Sequence, residues 1–462
     1  MNPRLLALTL ALALLPAPLV AQAPQKAKQA AVDRIVEAAL KDEQAYANLE
    51  WLCDRIGNRL AGSKGLEKAV AWSLERLKAE GFQNVHPEKV MVPHWERISE
   101  RAELLEPLRR PLNILALGDS PATPAGGVEG EVLVVASLAE LEKLPGDQVR
   151  GRIVLFEAPW KGYGEYSSVR YFGPTAAAKK GALAMLLGAF APRTLDTPHT
   201  GVMQNDPMAP PVPAAGLSLE AATQMRRLCT AGAKVRVHLD IQARRLPDAE
   251  SANVIGEFPG TGKPEEIVVV GGHLDSWDVG QGAQDDGVGC VLSMEAARII
   301  HRLGLKPRRT IRVVLFTNEE NGSRGGKAYL DAHKDELDRH VAAIESDIGN
   351  GLIQGFGIDV RGLKDKGEAR QAQAAACLKA LRPYLEPLGA GKLENGGSGV
   401  DIGPTVAAGV PGLGAEHDTA RYWDIHHTQA DTFDKVDKRD LRKNLAILAS
   451  ALYLIADLPE RP

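Results

Sequence analysis

Three apolar, β-branched runs in the second half of the chain each lead into a motif of acids or imidazole. Ile267-Val268-Val269-Val270 runs through Gly271-Gly272 into His273-Leu274-Asp275. Ile311 to Phe316 runs into Thr317-Asn318-Glu319-Glu320, and Val341 to Ile344 into Glu345-Ser346-Asp347. Short runs of this composition, bounded by turn signals, read as buried strands. A helical pattern follows Asp285, with apolar positions Val288, Val291, Leu292, Ile299 and Leu303, and it ends at Gly304 and Pro307. Strands alternating with helices predict an α/β domain with a central, mostly parallel sheet flanked by helices. In open sheets of that kind, ligands sit outside the carboxyl ends of the strands. Three separate strands would then aim their side chains at one crevice. One Asp after a strand is commonly a turn residue or a helix cap; three strand ends carrying His, Glu-Glu and Asp are not explained that way.

Two further motifs complete the constellation: Gln284-Asp285-Asp286-Gly287, and His426-His427-Thr428-Gln429-Ala430-Asp431-Thr432. Two imidazoles and several carboxylates held by strand ends suit two zinc ions that share a bridging carboxylate. Such a site performs metal-assisted hydrolysis.

The N-terminus sets the expected compartment. Arg4 precedes an apolar run from Leu5 to Leu15, then Pro16, Pro18 and the small-residue exit Leu19-Val20-Ala21-Gln22-Ala23. This is the pattern of a secretory leader, with cleavage expected after Ala21 and export to the periplasm or beyond. The run is shorter than the roughly 20 apolar residues of a spanning helix, and no later segment is long enough, so no membrane attachment is expected after processing. A net charge of −4 without a basic block gives no reason to invoke nucleic acid. Cys53, Cys229, Cys290 and Cys377 are far apart and form no C-x-x-C pair, so buried thiols are expected for most, although one disulfide stays open in an exported chain.

At 462 residues the chain is long enough for two domains. Its texture changes twice. From about Lys26 to Gly81 it reads as helices over Ala30 to Leu40, Glu43 to Ile56 and Lys64 to Glu80, with Gly81 as a C-cap. From Pro111 to Leu239 it reads as β-rich and loop-rich, with strand-like runs at Val132 to Val135, Ile153 to Phe156 and Leu183 to Leu187, and one short helix from Ala176 to Gly181. After Glu250 strands and helices alternate. The expected organisation is therefore a leader over 1–21, the first part of the main domain over 22–110, an insertion over 111–240 and the rest of the main domain over 241–462.

At its chemical motifs the chain resembles the co-catalytic zinc exopeptidases, a family that includes bacterial leucyl-type aminopeptidases, glutamate carboxypeptidase and carboxypeptidase Q. The stretch from Gly272 to Ala283, followed by Asp285-Asp286-Gly287, is especially similar to the carboxypeptidase Q branch. Glu345-Ser346-Asp347 and His426-His427 strengthen the likeness, which covers essentially the whole chain after the leader. The middle segment, including Pro198-His199-Thr200-Gly201, resembles the protease-associated domain inserted in such enzymes. The resemblance implies that His273 and Asp347 bind one zinc ion, Glu320 and His427 a second, and Asp285 both. It implies Glu319 as general base and a cis peptide bond between Asp285 and Asp286. Asp275, two residues beyond His273, is expected to hydrogen-bond the far ring nitrogen and so fix its tautomer. The glutamate carboxypeptidase branch has an oxyanion-polarising tyrosine at the place of His426; here the side chain is imidazole, and His426 enters as a substrate-contacting candidate. His199 is a second such candidate, in a loop from Thr197 to Gly201 expected to overhang the cleft and to meet a peptide's terminal carboxylate.

The expected function is hydrolysis of short peptides, dipeptides with free termini above all, by an exported di-zinc exopeptidase in which Glu319 activates the water. The resemblance also implies a homodimer. Two other readings stay open: an aminopeptidase acting on longer peptides, and a non-catalytic binding protein on the same scaffold, which would lack metal ligands. A serine hydrolase has no G-x-S-x-G motif to support it.

Overall fold

Fourteen strands run through the described residues: β1 (Gln83–Glu106), β2 (Arg110–Leu112), β3 (Ile114–Ala116), β4 (Val128–Val135), β5 (Ile153–Phe156), β6 (Ala184–Leu187), β7 (Ala214–Leu217), β8 (Arg236–Phe258), β9 (Lys263–His273), β10 (Arg309–Phe316), β11 (His340–Glu345), β12 (Ile353–Asp359), β13 (Lys392–Asn395) and β14 (Gly412–His417). The structure is a computed structural model that describes residues 19–188 and 191–462, with side chains from residue 25 onward. The expected leader falls outside the described residues except at its last three positions, which open a helix over Leu19–Leu40. No helix among the described residues is long and apolar enough to cross a membrane.

The strands lie in the order β13-β12-β14-β11-β9-β10-β8-β4-β5-β6-β7-β3, with β1 paired to β8 and β2 to β1. At its centre β9 is parallel to both neighbours, with Val270 opposite Val313 of β10 and Ile344 of β11, and β14 continues parallel on β11. The fold is thus α/β with a mostly parallel central sheet. Parallel strands end on the same edge, so His273, the turn after Phe316 and the turn after Glu345 come together there. Both faces of β9 are covered, which is why its sequence is continuously apolar rather than alternating. Val268 and Val270 join the core formed with Val291, Leu292, Leu448 and Leu452 of the helices Val288–Arg302 and Lys438–Ala456. Ile267 and Val269 join Val314, Phe316 and Tyr329 on the other side.

Segment 111–240 departs from the β-rich expectation. Strands β4, β5, β6 and β7 are parallel, and the helices Tyr163–Lys179 and Leu219–Thr230 accompany them. The helix expected near residues 176–181 is seventeen residues long; Gly164, Gly173 and the internal Pro174 break the pattern that would have announced its first turns. The small sheet is buried on alternate sides, with Ile153 and Leu155 in one apolar cluster and Val154 and Phe156 in another, the period of two that a strand requires. This segment joins the rest through a long antiparallel ribbon of β1 and β8, in register from Gln83 opposite Glu257 to Glu106 opposite Arg236 with four shifts. One end of β8 pairs with β10 and the other with β4.

Buried Arg59 ties the N-terminal helices to the sheet edge. Its guanidinium donates to the carbonyl oxygens of Leu274 at 2.7 Å, Gln281 at 2.7 Å, Gly282 at 2.8 Å and Gly57 at 2.8 Å. The first three belong to the loop that carries the chain from His273 to Asp285. Arg59→Met should leave these carbonyls without their donor. A buried acceptor left unsatisfied costs roughly 1–3 kcal/mol and some will recruit water, so a loss of about 4 kcal/mol is expected. Urea denaturation checks this; a midpoint equal to the wild type would refute it.

Candidate metal centre

His273 closes β9 with its ring fixed at both nitrogens. Nδ1 faces the main-chain oxygen of Asp275 at 3.0 Å, while Nε2 lies 3.2 Å from Asp285 Oδ1 and 3.2 Å from Asp347 Oδ1. The other oxygen of Asp285 looks away from His273: its Oδ2 is 3.3 Å from His427 Nε2 and 3.5 Å from His426 Nε2. His427 Nε2 is also 3.0 Å from Glu320 Oε2. Asp285 therefore stands between two imidazole–carboxylate groups, one oxygen turned to each.

The neighbours of Asp285 hold it there. The Asp285–Asp286 peptide bond is cis, and the two carboxylates serve different ends. Asp286 accepts the N–H of His273 at 3.1 Å and that of Gly289 at 2.9 Å, joining the end of β9 to the start of the following helix. Gly289 has no room for a side chain, since a Cβ would lie 1.8 Å from the Ser346 carbonyl oxygen. Asp431 accepts the N–H groups of Gln284 at 2.7 Å and Asp285 at 3.1 Å. Burial pushes its carboxyl up to about 7. Asp431 stands in the motif of the paired histidines without an expected role, and its position a few residues after them is the signal the sequence offers. Glu345, likewise without an assigned role, accepts the N–H groups of Val400 and Ile402, both at 2.9 Å, and backs the turn that carries Asp347.

The Glu319–Glu320 turn is held by Asp275, whose carboxylate accepts the two successive N–H groups at 3.0 and 3.2 Å. This corrects the expected role of Asp275. Its carboxylate is 3.8 Å from His273 Nδ1, too far for a hydrogen bond, and its main-chain oxygen takes that place. The carboxylate acts instead on the backbone beneath Glu319 and Glu320. Glu319 lines the cavity over the cluster. Burial raises its carboxyl well above the usual range, reinforced by Asp347 and Glu320 and opposed by His273.

His426 and His427 stack with ring centroids 3.6 Å apart. His427 Nδ1 faces the main-chain oxygen of Thr200 at 3.3 Å and Arg170 Nη1 at 3.3 Å, and Thr200 donates its N–H to the His427 carbonyl at 3.0 Å. The loop from Thr197 to Gly201 is thus a support for His427, which corrects the expectation of an overhang. His199 and Thr200 are fully buried, and His199 does not line the cavity. That cavity, of about 640 Å³, is lined by Asp285, Glu319, Glu320, Asp347, His426 and His427, and by Tyr163, Tyr171 and residues 202–205 of the middle segment.

The donor set fits divalent metal ions. His273, Asp285 and Asp347 can turn one ligand atom each to a common point, as can Asp285, His426 and His427. Glu320 reaches the second group through its 3.0 Å approach to His427. Asp285 Oδ2 and Glu320 Oε1 are buried without a hydrogen-bond partner. Burial opposes a charge on His273 and His427, yet the carboxylates around them, Asp347 and Glu320 foremost, raise both rings well above their ordinary value. The cluster draws in positive charge, and imidazole nitrogen with carboxylate oxygen is a donor set that zinc accepts. Among the described residues all four cysteines are unpaired, and Cys290 donates to the His273 carbonyl at 3.0 Å.

The sequence pattern of peptidase family M28 matches residues 253–452. A carboxypeptidase Q from Mus musculus is 39% identical over 417 residues, 90% of this chain and 86% of the relative. A solved structure of a peptidase M28 precursor from Shewanella amazonensis SB2B is 34% identical, with a TM-score of 0.89 over 94% of this chain and 98% of that one. A zinc aminopeptidase from Bacillus subtilis, 20% identical with a TM-score of 0.64 over 88% of this chain and 94% of its own, shares the fold. By its similarity across nine-tenths of its length, the chain belongs to peptidase family M28 and is an enzyme of that family.

Proposed function

We propose that this protein is a zinc-dependent exopeptidase that removes one residue from short peptides, dipeptides with free termini above all, after export. The observation that carries the reading is Asp285, with its two oxygens 3.2 and 3.3 Å from the imidazoles of His273 and His427 beside a cavity that Glu319 also lines. In this reading His273 and Asp347 hold one zinc ion, Glu320 and His427 the other, and Asp285 both. Bound zinc supplies Lewis acidity, polarising the peptide carbonyl and lowering the pKa of the attacking water toward about 7.

The chain's own groups supply the rest. Glu319 accepts the proton of the attacking water and returns it to the departing amine nitrogen. Burial raises its carboxyl, which suits a group that must both take and release a proton near neutral pH. Asp275 keeps Glu319 and Glu320 in register through their N–H groups. His426, edge-on to Tyr163 at 5.0 Å, lines the cavity where substrate would lie. A cavity of about 640 Å³ suits a ligand of a few residues. The likeness to a carboxypeptidase Q over most of both chains supports the same assignment. Segment 111–240 then acts as an insertion that shapes the cleft and contributes none of the proposed metal ligands.

Dipeptide hydrolysis by the purified protein should be abolished by a chelator and restored by zinc. Glu319→Gln should keep its zinc and its fold while kcat falls roughly 10²–10⁴-fold, because an amide cannot accept the proton. Glu320→Gln should lose zinc instead. Metal analysis beside turnover separates the two variants; equal zinc loss in both would show the division of roles to be wrong. Asp275→Asn, which leaves one carboxamide oxygen for two N–H groups, should cost about 10–100-fold in zinc affinity or activity. Wild-type values for both would remove Asp275 from the account.

A further inference from the structure

A dipeptide presents a carboxylate within a few ångströms of the bond to be broken, and a cavity dominated by carboxylates repels it unless a cation lies opposite. Two arginines line the cavity, Arg170 and Arg245. Arg170 is buried and engaged, with Nη1 3.1 Å from Tyr163 Oη and 3.3 Å from His427 Nδ1. Arg245 differs. It lies on the ribbon strand β8 opposite Trp95, its side chain is 52% exposed, and its ion pair with Asp119 is a long one, Nη1 to Oδ2 at 3.4 Å.

That pairing orients the guanidinium and leaves most of it available. Asp119 is 12% exposed and sits on a firmly tied turn. Its carbonyl accepts from Asn205 Nδ2 at 2.9 Å, and the next residue's carbonyl accepts from Trp95 Nε1 at 3.0 Å. A guanidinium carries five N–H donors in a planar fork that matches a carboxylate bidentately. The neutral polar groups that line the cavity, among them Gln204, Asn205 and Asn321, would bind an amide as readily as an acid. We infer that Arg245, oriented by Asp119, recognises the free C-terminal carboxylate of a short peptide and is the residue that sets the preference for dipeptides. This rests on the exopeptidase reading above and adds to it the group that reads the far end of the substrate.

The test compares hydrolysis of one dipeptide and of its C-terminal amide by the zinc-loaded protein. The wild type should favour the free acid in kcat/KM by roughly 10–100-fold, the value of a charge-assisted hydrogen-bonded contact. In Arg245→Gln the acid-to-amide ratio should fall to near one, with the loss carried by KM. Arg245→Lys should retain part of the preference, having the charge without the fork. Turnover of the amide by the variants serves as the internal control for folding and zinc loading. A variant that keeps the wild-type ratio, or a wild type that cleaves acid and amide equally, would overturn the inference while leaving the exopeptidase reading intact. A zinc-loaded wild type that cleaves neither would overturn both.

Discussion

The arrangement depends on the carboxylate of Asp285, set between His273 at 3.2 Å and His427 at 3.3 Å. Those imidazoles come from segments more than a hundred residues apart, and in the proposed role as a bridge each oxygen of the carboxylate has to meet the right one. Much of the surrounding structure serves that alignment. Asp431 holds the backbone on the N-terminal side of Asp285 and Asp286 locks the helix that follows. Arg59 gathers the loop that leads in from β9. Each is a buried charged or polar group whose hydrogen bonds are spent on main-chain atoms, which positions a segment more firmly than side-chain packing alone.

So many buried acids in one place are unfavourable in the protein alone. Burial raises Glu319, Glu320, Glu345 and Asp431 together, and the two imidazoles most closely surrounded by carboxylates are raised as well. A site that binds cations tightly has this character before the cations arrive, and their binding would then add to the stability of the fold. The middle segment belongs to the same design. By bracketing His427 through both main-chain groups of Thr200, it shares in building the candidate metal centre as well as in walling the cavity.

What could be read from the sequence follows how local the cause was. β9, β10 and β11 were legible because strands buried on both faces are uniformly apolar, and their ends carried the chemistry. The β1–β8 ribbon was not, since its charged residues, Pro87, Pro93 and Pro247 and its four register shifts break any simple alternation. Pro174 and the glycines around it hid most of the helix Tyr163–Lys179. The candidate metal ligands converge, yet two residues depart from what their local sequence suggests, for tertiary reasons. Asp275 meets His273 through its main chain rather than its carboxylate, and His199, in a segment punctuated like a surface turn, is fully buried. Arg59 and Asp431 act on backbone atoms far away in sequence, which no local pattern announces.

Anomalous scattering at the zinc edge from crystals of the zinc-loaded protein tests the central claim most directly. Two peaks roughly 3.5–4 Å apart are predicted to flank the Asp285 carboxylate, one beside His273 and Asp347 and the other beside His427. A single peak, or a second peak remote from Asp285, would contradict it.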